Sequence, residues 1–395
     1  MPHRILVLDA NQRSALAATR TLGQKDLWVT TADESPRTLA GASRYASDSA
    51  VYRSPFRTPA GFLEDVLRIV EAHRIDFILP MTEASTYVLL ANRSRLPAHV
   101  KLPFPSDKQV QQLANKSELT RLAQSLGLPV PESQHYANAQ ALLSATSSIQ
   151  RYPVVLKPAL SKILLEDRIV STSVVIVRNE KALKAALQQD QFKNYPFMVQ
   201  EFITGEGQGV FTLFRSGRPL CFFAHRRLRE KPPEGGVSVL SESRDIDTHM
   251  QQIATKLLES AQWDGVAMVE FKVSADGTPY LMEVNPRFWG SLQLAIDAGV
   301  DFPYFLYRSV YDPHYQPPSQ FPAPGNRLRW LLGDLDRLYL VLKAPATRYS
   351  VSQKLMAVLQ FLSYHRKTRH EVNRWPDMAP FWYELKAYIR SLRHG

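Results

Sequence analysis

The sequence predicts an α/β fold: a Rossmann-like parallel sheet at the N-terminus, an α+β core, and a mainly helical C-terminal region. Three observations carry this. Short apolar runs alternate with helical patterns over the first hundred residues, as parallel sheets with crossover helices require. From Tyr152 onward, strand-like runs follow one another with tight-turn signals between them. After the proline-rich stretch DPHYQPPSQFPAPG, helical periodicity dominates.

In the first region RILVLDA, LWVTTAD, DFILPMT and VKLPFPS read as strands, and Arg13 to Leu22, Pro59 to His73 and Glu83 to Asn92 as helices. The turn after the first strand, Asp9-Ala10-Asn11-Gln12, holds no glycine. The dinucleotide fingerprint is therefore absent, which disfavours hydride transfer. A helix from Lys116 ends at Gly127, and GLPVPES marks an element boundary. YPVVLKP, STSVVIVRN, FMVQEFI, GVFTLFR and PLCFFAHRRL then read as strands, with a helix from Glu180 to Gln189 and a hairpin turn at Ser216-Gly217. The expected domains are 1–112, 113–312 with a lid over about 116–199, and a basic region 321–395.

A chain of 395 residues, 45% hydrophobic and 22% charged, suits a folded protein of two or three domains. Its one cysteine, Cys221, forms no internal disulfide, the first residues lack a secretory pattern, and no run reaches the roughly 18 apolar residues of a membrane span. A cytoplasmic location is expected. The formal charge of +11 is uneven, because residues 321–395 hold 13 Lys or Arg against 5 Asp or Glu. Such a region either solvates a surface or faces an acidic partner, an anionic membrane or polymer. A nucleic-acid surface would interleave aromatic and basic residues, whereas here the aromatics of PLCFFAHRRLR precede the basic run. Nucleic acid is accordingly ranked low. A homodimer is compatible with the sequence.

The most informative segment is GVAMVEFKVSADGTPYLMEVNPRFWG. A hairpin turned at Asp276-Gly277 places Glu270 opposite Glu283 and Met268 opposite Asn285 on one face, with Val269 opposite Val284, Phe271 opposite Met282 and Val273 opposite Tyr280 on the other. Facing carboxylates repel unless a proton or cation lies between them. Glu270, Glu283 and the Asn285 amide form an oxygen set suited to Mg²⁺, which binds one or two carboxylates together with substrate phosphates; Mn²⁺ is the alternative metal. The competing reading is a solvated face with splayed glutamates and Lys272 as neutralising charge. Arg287, beyond Pro286, offers a planar fork to a phosphoryl or carboxylate oxygen.

Lys157 ends a buried-looking strand, with its ammonium at the sheet rim where it can meet a nucleotide phosphate; Lys116 opens the preceding helix. In VQEFITGEGQGVF the glycines lie between strands and not before a helix, so they read as a hinge and not as a phosphate loop. The backbone of Glu201, Phe202 and Ile203 can then meet a flat base edge, with Gln208 near the sugar.

In this order, the motifs resemble the ATP-grasp superfamily from about Lys116 to Gly299, and the first region resembles the domain that precedes ATP-grasp cores. MEVNPR after an EF strand is the most specific match, similar to carbamoyl-phosphate synthase, biotin carboxylase and D-alanine:D-alanine ligase. The resemblance implies that Lys116 and Lys157 contact ATP phosphates, that Glu201 and Ile203 border the adenine, that Glu270, Glu283 and Asn285 hold Mg²⁺, and that Arg287 faces the reacting groups. It also implies that AHRRLREKPPEGGVSVLSES borders the acceptor, with Arg226 or Arg229 receiving an anionic group and GGVSV, from Gly235 and Gly236 onward, forming a flexible wall. Two positions depart from the pattern. ALSKILLEDRIVSTS replaces a glycine-rich flap, leaving Lys162 or the Ser171-Thr172-Ser173 cluster to substitute, and Gln208, or Glu206 if the loop slips, stands at the ribose position where glutamate is common. The implied function is an ATP-dependent ligase that activates a small-molecule carboxylate as an acylphosphate and passes it to an amine. The alternative is an ATP-binding regulatory or peripheral-membrane protein with little turnover.

Overall fold

The apolar run Arg4–Val7 is buried beneath helices on both sides and forms the second-to-last strand of a four-stranded parallel sheet. Its strand order runs Asp48–Val51, Trp28–Asp33, Arg4–Val7, Phe77–Leu79. This is a computed structural model, which describes residues 3–145, 149, 151–233, 235–319, 324–363 and 365–394. Residues 320–323 of the expected linker lie outside that range. One expected strand is corrected: VKLPFPS makes only an isolated bridge between Lys101 and Phe77, because Pro103 and Pro105 supply no backbone donor. The fourth strand is instead Asp48–Val51, a short polar edge without an apolar run to announce it.

Asp9 follows the first strand at φ 57° and is buried. Its carboxylate accepts from the backbone N–H of Met81 and Thr82, each at 2.9 Å, and from Ser85 Oγ at 2.6 Å. Burial pushes its pKa up against these hydrogen bonds. The result is a fixed N-terminus for the helix Glu83–Ala91, whose first residue reaches the core domain.

The region expected to be the lid holds a four-stranded antiparallel sheet ordered Ser133–Tyr136, Phe197–Glu201, Val154–Pro158, Val175–Val177. The core sheet has seven strands: Pro279–Asn285, Gly265–Val273, Glu206–Arg215, Arg218–Lys231, Val237–Arg244, Arg327–Arg329 and Thr368–His370. Ser216 and Gly217, both at positive φ, form the two-residue hairpin turn that the sequence predicts. The segment GGVSV, expected to be a flexible wall, is corrected: Val237–Arg244 is a strand paired with Arg218–Lys231, its register shifted between Arg227 and Glu230, and of GGVSV Gly235 and Gly236 precede that strand.

The C-terminal region is helical, over Leu331–Lys343, Val351–Leu362 and Ala379–His394, but it is no detached tail. Two of its segments complete the core sheet, the last pair in parallel. It also grips the N-terminal domain: buried Arg20 donates to Asp377 Oδ2 at 2.8 Å and to the carbonyls of Glu371 and Val372. Removing one partner of a buried pair strands the other charge. Asp377→Ala should therefore lower stability by about 3–5 kcal/mol, read as a drop in the urea midpoint with an unchanged slope.

Candidate nucleotide and metal site

The hairpin of Gly265–Val273 with Pro279–Asn285 brings Glu270 opposite Glu283 and Met268 opposite Asn285. Beyond Glu270 the register slips at a bulge, so Phe271 pairs with Leu281 and Val273 with Pro279, not with Met282 and Tyr280 as the sequence predicts. The loop spans Ser274 to Thr278, closed by hydrogen bonds from Ser274 N to Thr278 O and from Gly277 N to Ser274 O. The bulge turns Leu281 into the core beside Phe271 while leaving the two glutamates facing one another.

Asn285 Nδ2 lies 3.1 Å from Glu270 Oε1 and 3.0 Å from Glu283 Oε1, donating to both. Its Oδ1 accepts from Arg287 at 3.1 Å. Turning the amide over would exchange donor for oxygen and present that oxygen to the space between the two acids. Cations surround the pair: Lys116 Nζ stands 3.6 Å from Glu283 and Arg227 3.6 Å from Glu270. Among the described residues no group of three His, Cys, Asp or Glu side chains gathers to hold a metal. A two-carboxylate, one-amide set is the kind that leaves positions free for phosphate oxygens and water.

Electrostatics separate the two acids. Burial and the charge of Glu283 push Glu270 up to about 7. Burial also raises Glu283, but Lys116, the Asn285 hydrogen bond and Lys157 outweigh it and hold the carboxyl below its ordinary value. Lys157, next to last in its strand, lies opposite Met198 and is buried, whereas the sequence reading places its ammonium at the sheet rim. Burial lowers it to about 8, with Lys116 adding repulsion and Glu283 opposing. A phosphate placed beside it would restore its full charge.

Lys116 begins the helix Lys116–Ser125, whose backbone is fastened to the end of the lysine strand by Lys116 N to Ala159 O at 2.8 Å. Its Nζ donates to Ser161 Oγ at 2.8 Å. The glycine-free flap is a small hairpin, Lys162–Leu164 against Ile169–Ser171. It is pinned to the first domain by Ile169 N to Phe56 O and by Lys162 over the Phe56 ring, and Lys162 Nζ donates to Ser171 Oγ. Glu201, Phe202 and Ile203 leave the lid strand as the connection to the core sheet, with Glu201 N bonded to Glu132 O. Gly205 there lies against Val273 O, where a Cβ would approach within 2.0 Å. Gln208 accepts from Arg244 at 3.1 Å.

A cavity of about 210 Å³ opens on the glutamate pair, lined by Arg13, His225, Arg227, Gly236, Arg287 and Trp289 among others. Arg226 and Arg229 do not line it, which corrects the arginine reading. Arg226 is taken by Glu242 at 2.6 Å and Arg229 by buried Asp334 at 2.5 Å, whereas Arg227, on the alternate face of the strand, points to the site. Gly236 borders the cavity; Gly235 is exposed in the turn beside it. Arg287 joins Asn285 to Glu83 of the first domain, 3.4 Å away.

Arg13 was missed in sequence. It follows the C-terminal end of a parallel strand, the position at which open sheets place ligands. There it is ion-paired with Glu371 and lies 4.0 Å over the Trp330 ring. His225 is held neutral, lowered to about 3 by burial and by Arg227, and its Nε2 contacts Ser291 Oγ at 2.7 Å. A larger groove of about 970 Å³ runs along the first sheet's edge, but its Arg53 and Arg68 already pair with Asp65.

Comparison with known proteins agrees with this fold. Residues 193–330 match the family described as "ATP-grasp in the biosynthetic pathway with Ter operon". The arginine-specific carbamoyl phosphate synthase large chain of Geobacillus stearothermophilus is 24% identical over 57% of this chain. The chain spans about a fifth of that relative, 21% of its length. Among solved structures, L-amino acid ligase from Bacillus licheniformis superposes with TM-score 0.59 at 17% identity, covering 78% of this chain and 74% of that one. The biotin carboxylase domain of 2-oxoglutarate carboxylase from Hydrogenobacter thermophilus, solved with MgADP, ADP and bicarbonate, gives 0.60 at 12%, covering 80% and 72%.

The raised carboxyl of Glu270 has a testable sign. In the metal-free protein the folded state holds this proton above the pH at which the unfolded chain releases it, so stability falls as pH rises from about 4.5 through 7. Glu270→Gln removes that loss. The variant should be more stable than wild type at pH 8 by about 1–2 kcal/mol and show no such gain at pH 4, measured by urea unfolding in EDTA. In the same range Mn²⁺ binding by wild type, followed by electron paramagnetic resonance, should weaken as pH falls below 7.

Proposed function

We propose that the chain is an ATP-grasp superfamily protein and, on that premise, that it is an ATP-dependent ligase joining a small-molecule carboxylate to an amine. The observation that carries the reading is the Glu270–Glu283 pair, clamped by Asn285 and ringed by Lys116, Arg227 and Arg287 at a cavity mouth. Facing acids of this kind need a proton or a cation between them, and a nucleotide's phosphates need the surrounding positive groups.

In this reading Glu270, Glu283 and, once turned, Asn285 hold Mg²⁺ or Mn²⁺, which supplies charge neutralisation at the phosphates when bound. Lys116 and Lys157 take phosphate oxygens, the backbone of Glu201, Phe202 and Ile203 meets the base, and Gln208 lies toward the sugar. A substrate carboxylate attacks the γ-phosphate, giving an acylphosphate and ADP; an amine then displaces phosphate and leaves an amide. Arg287 and Arg227 orient the carboxylate, and Arg13 supports the same anion from the first domain. No nucleophilic side chain is needed, because positioning and charge supply the catalysis. Neutral His225 beside Ser291 shapes the acceptor side of the cavity. Among the described residues no helix is long and apolar enough to cross a membrane, and the single unpaired Cys221 fits a cytoplasmic location.

Glu283→Ala should leave circular dichroism unchanged and lower ADP release more than about a hundredfold. Wild type should release ADP from MgATP only when carboxylate and amine are both present, with the conjugate identified by mass. ADP release independent of both, or an undiminished Glu283→Ala, overturns the ligase reading.

A further inference from the structure

The helical hairpin Leu331–Lys343 and Val351–Leu362 leaves much of its apolar surface uncovered. On the second helix Val351 is 80% exposed, Leu355 60%, Leu359 53% and Leu362 70%, a stripe spaced three or four residues apart, with Met356 beside it. On the first helix Leu335, Tyr339 and Leu342 are exposed as well. The inner face is small, with Leu338, Val341 and Ala357 as its buried residues.

The exposed helix is held in place at both ends. Ser350 and Gln353 form a capping box at its start. At its other end Arg229 donates to Gln360 O at 3.0 Å and Arg329 to Phe361 O at 2.7 Å, both arginines fixed by buried Asp334. The stripe is thus presented on a capped helix tied to the core sheet.

Charge identifies what covers it. From Arg337 to His370 the sequence contains no Asp or Glu, and it carries seven Lys or Arg. The acids that flank it are spent elsewhere: Asp334 and Asp336 on Arg229, Arg329 and Lys231, and Glu371 on Arg13. An apolar stripe in an acid-free, basic segment complements an anionic lipid surface. A second copy fits worse, because a two-fold contact would set the same cationic segment against itself.

We propose that the Val351–Leu362 helix lies on an anionic membrane surface, inserting Val351, Leu355, Leu359 and Leu362 among the acyl chains while the flanking Lys343, Arg366 and Lys367 meet lipid phosphates. The association is peripheral and independent of ATP. Trp375, 90% exposed beyond the last core strand, and Trp382 on the final helix are further apolar side chains of the same region.

The test is flotation of the full chain, without nucleotide, with vesicles of phosphatidylcholine alone or with about one-third phosphatidylglycerol at ~0.15 M salt. Wild type should float with the anionic vesicles and stay in the dense fraction with neutral ones. Leu355→Glu/Leu359→Glu should lose flotation, and Lys343→Glu/Arg366→Glu should weaken partitioning about tenfold or more, with thermal melts unchanged because these side chains are exposed. Wild type that fails to float with anionic vesicles overturns the proposal, as does a Leu355→Glu/Leu359→Glu variant that floats like wild type. So does sedimentation showing that the same variant converts a wild-type dimer to monomer, which would assign the stripe to a second copy.

Discussion

Two negative side chains held face to face, Glu270 and Glu283, set the demand that the rest of the core satisfies. Without compensation such a pair would splay the hairpin that carries it. Four cationic residues answer it from different parts of the chain: Lys116 from the helix entering the lid, Lys157 from the lid sheet, Arg227 from the middle of the core sheet, and Arg287 from the turn after MEVNP. Only Lys116 and Arg227 reach the carboxylates closely, at 3.6 Å each. The balance is loose enough for one acid to keep a proton near neutrality, and it leaves positive charge that phosphates can use.

The first domain serves this site more than its separate sheet suggests. Asp9 fixes the start of the helix that brings Glu83 to Arg287, and Arg13 crosses to Glu371 and Trp330 at the cavity wall. The C-terminal region completes the bracing by adding two strands to the core sheet and by burying Arg20 against Asp377. Site, first domain and last helices are therefore linked mechanically through paired charges. Such links fix orientation, since each buried arginine tolerates one partner geometry.

The same region turns a second face outward. Its acids are directed inward as anchors for Arg229, Arg329 and Lys231, leaving apolar and basic side chains outside. A basic composition read from sequence alone does not separate a solvated surface from a lipid-facing one, because that choice depends on where the few acids point.

The linear sequence determined the features that local rules govern. Period-two alternation and the Asp276-Gly277 signal place Glu270 opposite Glu283, and the buried strand VVLKP carries Lys157 near its end. Ser216-Gly217 and the Pro59–His73 helix come from turn and helix chemistry just as directly. Tertiary structure decided the features that local rules do not reach. The bulge after Glu270 appears because Leu281, and not Met282, packs beside Phe271. Arg227 and not Arg226 or Arg229 faces the cavity, because the other two are claimed by Glu242 and Asp334, the latter 105 residues away along the chain. Arg13 enters the site only when the sheet stacks against residues beyond 329. The physical reason is common to all three: side-chain direction along a strand is set by neighbouring residues, but the partner that fixes a charge is chosen by packing between distant segments.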